Sequence, residues 1–475
     1  MGDAPGSTQV STAPAANDRT AVEAALAAVD AHFDEFVVEL QELCRFRSRR
    51  QEPDQMAATA QWLAETARRH GASADVIPWE HSHPYVLTEM PGGPKRLLHF
   101  THYDVEVEPA GDDSDWVSGP YEAAVRDGAL YARGVADDKG VIMSRLHAAA
   151  AWRLAGLTPP VTNVIIMEGK QMLHSPGLGS FTAAHAEQLA SDAALWENSW
   201  RDSEGRPLLK LGEKGVLYLR LKVRTLPREL TSQNTALLAS ATTRLVGALA
   251  GMVTPDGTVL VPGFADGARK PTDAELALLG EIEFDGEFLR RRAGVDGFIG
   301  DVDDREAAVA IRTRPTMTIA SLTGGDDRDD VTLGIPAEAS AKVEVRLVAG
   351  QDPQQVVDAI RVHLDGTGFA DVEIDVMATS RPSLTDHRDP FVALVADAAR
   401  RTYDAEPVIE PYTQWIGNQG VLADRPIVGV GVSRADSGVD GPNEQILLED
   451  YRAGIKHVIE IMAAMAAGNG TEESA

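Results

Sequence analysis

The chain is poor in cysteine, in aromatic residues, in positive charge and in long apolar runs. Its one cysteine is Cys44. No intramolecular disulfide can form and no cysteine cluster can hold a metal; Cys44 sits in an apolar-periodic segment and reads as a buried structural thiol. Lys and Arg number 44 against 72 Asp and Glu, a formal net charge of −28. That balance argues against nucleic acid and anionic membrane as partners, since neither would meet a basic surface. No stretch reaches the length of an apolar membrane span. Residues 1–18 lack the basic start and apolar core of a secretory signal. Gly6 stands where a myristoylation signal carries Ser or Thr. The expected location is cytoplasmic, with 1–18 and 468–475 as disordered tails.

What is present is an ordinary globular composition, 44% hydrophobic and 24% charged. At 475 residues the chain exceeds one compact core, and two or more domains are expected. Apolar positions at helical spacing (Val22, Leu26, Val29, Phe33, Phe36, Leu40, Leu43) predict one or two helices over 20–48 and another over 54–70. Short strands follow near Asp75–Pro78, Tyr85–Met90 and Arg96–His99, then a hairpin turned at Asp127-Gly128 and a helix to about Leu154. An apolar strand, Val164–Met167, runs into the polar loop ending at Pro176. A strand delivering polar residues at its C-terminal end is where α/β enzymes place their chemistry. A helix near Phe181–Ala190 and a strand Ala193–Trp196 complete the pattern of a largely parallel sheet.

The composition shifts at Gly215. Val216–Val223 alternates as a half-solvated antiparallel strand does. A helix over Thr235–Met252, a charged irregular stretch over 265–315, two strands and an amphipathic helix over Pro353–Leu364 follow. The fold class expected is α/β, a mostly parallel sheet flanked by helices, interrupted by an inserted α+β domain. The expected boundaries are 19–213 and 378–467 for the first domain and 214–377 for the insert.

Four stretches carry a resemblance: THYDV over Thr101–Val105, WVSGPYEAAVRDGALYARGVADDKG over Trp116–Gly140, AALWENSWRDSEGRPLLKLGEKG over Ala193–Gly215, and GPNE over Gly441–Glu444. Together they resemble the M20 family of metallopeptidases and aminoacylases, over roughly residues 20–465. The resemblance implies a catalytic domain split around a smaller dimerisation domain. It also implies two zinc ions bridged by one carboxylate, with a Glu taking a proton from the water between them. On this sequence His102, Asp137 and Glu197 match the ligands of one metal, and Asp104 the residue that orients the histidine.

The remaining positions depart from the family. Gln171 stands for the general base, and an amide accepts no proton near neutral pH. Met172 and Asp440 stand for the Glu and His of the second metal; a thioether is a poor substitute for carboxylate on zinc. Thr231 replaces the oxyanion histidine of the insert. Ile416-Gly417-Asn418 replaces the loop that grips a substrate carboxylate, and Arg346 matches an Arg often near it. His174 is a candidate replacement base. The expected catalytic residues are therefore His102, Asp137, Gln171, His174, Glu197 and Asp440, with Met172, Thr231, Arg346, Gly417 and Asn418 toward substrate. Two zinc ions are not expected: the site holds either no metal or one zinc at His102, Asp137 and Glu197. Without metal the crowded carboxylates need a positive partner, so a substrate amine or guanidinium is expected there.

The leading functional expectation is a metal-independent enzyme acting on an amine-bearing amino-acid- or peptide-like molecule in biosynthesis. The alternatives are a one-zinc amide hydrolase and a non-catalytic partner of another protein. A homodimer or heteromer through the insert is expected.

Overall fold

The structure, a computed structural model, describes residues 19–106, 115–326, 329 and 334–468. The tail expected over 1–18, and all of that expected from 468 onward except Gly468 itself, lie outside the described residues.

A central eight-stranded sheet has the order Ser73–Ile77, Tyr85–Met90, Thr162–Glu168, Arg96–His102, Ala193–Trp196, Ile427–Gly429, Leu208–Lys210, Val408–Glu410. Its middle is parallel: Thr162–Glu168 against Arg96–His102, that strand against Ala193–Trp196, and Ala193–Trp196 against Ile427–Gly429. Ser73–Ile77, Tyr85–Met90 and Thr162–Glu168 pair antiparallel. Leu208–Lys210 and Val408–Glu410 are parallel as well, so four of the seven neighbouring pairs run parallel and the sheet is mostly parallel as expected, with an antiparallel edge. The loop between Ile77 and Tyr85 is too short for the crossover that parallel neighbours require.

Thr162–Glu168 is buried along its whole length. Ile165 and Met167 enter the core beneath the helices, while Val164 and Ile166 face Phe100, Phe181 and Trp196 on the other side. Side chains alternate across a strand, so one run fills both layers. Each such side chain contributes about 1.5–3 kcal/mol on leaving water. The helices Arg19–Ala31, Phe33–Cys44, Pro53–Arg69, Gly140–Leu154, Pro390–Tyr403 and Leu448–Ala467 contribute to the first core, with Cys44 inside it.

A second sheet, antiparallel throughout, has the order Thr316–Gly324, Glu338–Leu347, Gly215–Arg224, Glu373–Ser380. In Gly215–Arg224, Leu217, Leu219, Leu221 and Val223 join a separate core with residues of the helices Ala241–Met252 and Pro353–Gly366. The alternation read in the sequence is this buried face.

Residues 265–315 are not irregular. They hold the helices Asp273–Leu279, Gly286–Ala293 and Asp304–Thr313, of which the first and third open on capping boxes, Thr272 with Glu275 and Asp303 with Glu306. Reciprocal side-chain bonds satisfy two otherwise orphaned N–H groups at such a start. The helix expected from Thr235 begins at Ala241, after the Ser240 cap, and the one near Phe181–Ala190 is Leu178–Ala184. The hairpin turns as expected, with Asp127 and Gly128 at φ 50° and 79°. Among the described residues no helix is long and apolar enough to cross a membrane.

Candidate active site

Three parallel strands end side by side. His102 closes the first, in register with Glu168 at the end of the second. Glu197 follows Trp196 at the end of the third. A fourth segment, Gly134–Lys139, brings Asp137 and Asp138. Its shape depends on Glu444, whose carboxylate accepts hydrogen bonds from the backbone N–H of Gly134 (2.8 Å), Ala136 (2.9 Å) and Asp137 (3.2 Å).

His102 is fully buried. Its Nδ1 lies 3.1 Å from the Asp104 carbonyl oxygen and 3.3 Å from Asp104 Oδ1. Its Nε2 lies 3.4 Å from Asp137 Oδ1 and 3.8 Å from Glu197 Oε2. Burial works against a charge on the ring, but hydrogen bonds to Asp104 and Asp137 and the charge of Glu197 outweigh it, and the pKa rises well above the ordinary histidine value. Burial raises Glu197 well above the carboxylate range; His102 opposes this, and Glu213, Asp138 and Asp137 add to it. Burial also pushes Asp138 up to about 7.

The loop after Thr162–Glu168 is pinned from below. Asp104 accepts from the backbone N–H of Gln171 (3.1 Å) and Met172 (3.0 Å). The Gln171 side-chain amide donates to Glu197 Oε1 at 3.0 Å. Gln171 therefore orients a carboxylate instead of taking a proton. Glu197 Oε2 and Asp138 Oδ1 are buried with no hydrogen-bond partner.

His102, Asp137, Gln171 and Glu197 come together as the sequence led one to expect. Asp440 stands at the open rim with φ 58°. Protein crowds its carboxyl although the residue is solvent-accessible, and this burial, with the charges of Asp137 and Glu106, pushes its pKa up to about 6. Met172 is half-buried beside Gln171.

The other expected residues gather elsewhere. His174 Nε2 pairs with the Tyr218 hydroxyl at 3.0 Å, on the second sheet, and Asn418 donates to the His174 carbonyl at 2.7 Å. Burial lowers the His174 pKa. Arg346 bonds Glu344 at 2.7 Å and the Gln414 carbonyl at 3.2 Å. Gly417 packs on the Glu213 carboxylate, in space a side chain would need. Thr231 is exposed on a two-residue strand paired with Gly334–Ile335. His174 thus links the loop to the second sheet through its ring. Sequence reasoning missed Asp138, Asn198 and Tyr218. Asn198 donates to Asp137 Oδ1 at 3.3 Å. Asp138 receives the backbone N–H of His102 at 3.3 Å. The adjacent acids of VADDKG were the only signal for Asp138.

The peptidase family M20/M25/M40 matches residues 100–464. The chain belongs to this family. A Beta-Ala-His dipeptidase of Rattus norvegicus is 26% identical over 461 residues, 90% of this chain and 92% of that protein. A Cys-Gly metallodipeptidase of Schizosaccharomyces pombe is 27% identical over 289 residues, 59% of this chain and 60% of that one. Among solved structures, an M20 family metallo-carboxypeptidase from Sulfolobus solfataricus superposes with a TM-score of 0.82 at 28% identity, covering 91% of this chain and 99% of that chain.

M20 peptidases usually use zinc, and part of this site fits it. One ligand atom each of His102, Asp138 and Glu197 lie within 4.8 Å of one another, Asp137 Oδ1 is beside the same imidazole nitrogen, and the two unpartnered oxygens belong to this group. Asp104 supplies the acceptor that fixes the ring of a metal-bound histidine. Asp138, beside Asp137, adds a further carboxylate to this group. The second position offers only Met172 and Asp440 in place of the family's Glu and His, a set that fits zinc poorly.

Proposed function

We propose that this M20 member is a peptidase-type hydrolase of small peptide-like amides, working with one metal ion at His102, Asp137 and Glu197. The observation that carries the reading is Glu197 Oε2, buried, unpartnered and 3.8 Å from His102 Nε2. A buried carboxylate oxygen without a donor calls for a cation. The names of the relatives favour this reading over the metal-independent biosynthetic expectation, which nothing in the comparisons supports.

Zinc bound there would polarise a substrate carbonyl and make a bound water more acidic. The protein's own groups do the rest. Gln171 holds Glu197 Oε1 by its amide and so aims Oε2 inward. Asp104 fixes the ring of His102 through Nδ1. Asp440, at the rim of the same site, takes the proton that Gln171 cannot. An amine-bearing substrate end would meet the negative charge of Asp440 and Glu106. Thr231 has a role only if a second copy brings it across, through a homodimer of the insert over 214–377.

The test is metal analysis of the full chain and a hydrolysis assay on β-alanyl-histidine, cysteinyl-glycine and other dipeptides. His102→Gln is expected to remove one equivalent of zinc and the hydrolysis with it. Loss of two equivalents would restore a dinuclear site. Loss of none, or no cleavage of any dipeptide by zinc-loaded protein, would overturn the proposal.

A further inference from the structure

A second group of metal-binding side chains lies among the helices. Phe33–Cys44 presents Glu39, His70 follows Pro53–Arg69 as its cap, and Gly140–Leu154 presents His147. Glu39 Oε2 is 2.7 Å from His70 Nε2 and 2.8 Å from His147 Nε2. One ligand atom of each lies within 4.8 Å of the other two.

The surroundings of His147 are those of a ligand. Its side chain is fully buried, while Glu39 and His70 keep 20% and 15% exposure, which leaves an ion a way in. Phe36 stacks on the His147 ring at 4.0 Å and 10°. The ring's other nitrogen, Nδ1, lies 2.7 Å from the Tyr451 hydroxyl. A metal-bound histidine carries its proton on the nitrogen away from the ion and donates it to a fixed acceptor, and Tyr451 occupies that position.

We infer that Glu39, His70 and His147 form a zinc-class site, three protein ligands with one position open to water. Ligands around a tetrahedral zinc stand roughly 3.3 Å apart, given metal–ligand bonds of about 2.0–2.1 Å. The two contacts at 2.7 and 2.8 Å must open by about half an ångström. Glu39 and His70, partly exposed and on separate helices, have that freedom. Arg69, 3.5 Å from Glu39 Oε1 and half-exposed, has room to turn toward solvent. The site would tie three helices together, and it stands whether or not the His102 group binds metal.

The experiment is titration of chelator-stripped full-length protein with Co²⁺ and Zn²⁺, read as bound equivalents, cobalt absorption and thermal midpoint. His70→Gln and Glu39→Gln should each bind one equivalent fewer than the parent and lose the matching share of the zinc-dependent rise in midpoint. His102→Gln should keep that share. His70→Cys should restore the equivalent and add a thiolate-to-cobalt charge-transfer band, which a hydrogen-bonded network would not produce. Equal stoichiometry for parent and His70→Gln, or no thiolate band in His70→Cys, would overturn the inference.

Discussion

The two histidine–carboxylate groups of this protein differ in the balance of their charges. Around His102, the carboxylates of Asp137, Asp138 and Glu197 crowd one imidazole, and two of their oxygens have no partner. Around Glu39, two imidazoles share one carboxylate oxygen. The first group has an excess of acceptors, two of them without a hydrogen-bond donor. The second is satisfied as it stands, and a metal would displace hydrogen bonds that already exist. Buried polar groups are tolerated when paired and costly when not, so substitutions that look alike should act in opposite directions in the two places.

The largest effect should separate chemistry from structure. Asp440→Asn should lower kcat by about 10²–10⁴-fold, the usual share of a general base, with zinc content unchanged. The parent's rate should fall toward acid pH, because a base must be unprotonated, and the variant should lose that acid limb. A parental pH profile in Asp440→Asn would remove the residue from the mechanism.

Next comes the contrast itself, read by urea unfolding of metal-free protein. Glu39→Gln keeps the shape but leaves two imidazoles sharing a weaker acceptor, and should cost about 1–3 kcal/mol. Glu197→Gln removes one of the crowded charges and should be neutral or stabilising while abolishing metal binding at His102. Equal losses in both variants would erase the distinction.

A smaller effect follows from Glu168, at the end of the same strand as the catalytic loop. Its Oε1 accepts from the Tyr85 hydroxyl at 2.9 Å, its Oε2 is unpartnered, and burial pushes its pKa up to about 7. The folded state therefore binds a proton that the unfolded chain has already lost. The stability of the parent minus that of Glu168→Gln should fall as pH rises from about 4.5 through 7, by at most about 1.4 kcal/mol per pH unit. A difference that grows with pH would reverse the sign assigned to this carboxyl. The smallest change, Tyr451→Phe, takes one hydrogen bond from His147 and should cost about 1 kcal/mol without metal. It should also weaken zinc binding by about 10–100-fold at Glu39, His70 and His147 only.

The parts of this molecule that local pattern determines were legible in the sequence. The alternation of Val216–Val223, the Asp127-Gly128 turn and the apolar run Val164–Met167 all report short-range physics, and the structure has each in place. His102, Asp137 and Glu197 were legible through the segments around them. The three helices over 265–315 were missed because they are short and rich in charge, and their starts are marked by single capping residues, Thr272, Asp285 and Asp303. Glu39, His70 and His147 were invisible for another reason. They sit on three separate helices and meet only through packing. The contact of His174 with Tyr218 was not legible, because a loop position does not specify which sheet the ring will reach.

The dependence of Asp137 on Glu444 has a consequence in time as well as in space. The N–H groups of Gly134, Ala136 and Asp137 find their acceptor more than 300 positions later in the chain. At a synthesis rate of about 5–20 residues per second, those donors wait roughly 15–60 s on the ribosome before Glu444 exists. His102 and Glu197 can take their places on the sheet in that interval, whereas the turn carrying Asp137 cannot be locked. The segment carrying Asp137 is therefore fixed only once Glu444 has been made, and a nascent chain ending short of it would hold His102 and Glu197 beside an Asp137 not yet locked in place.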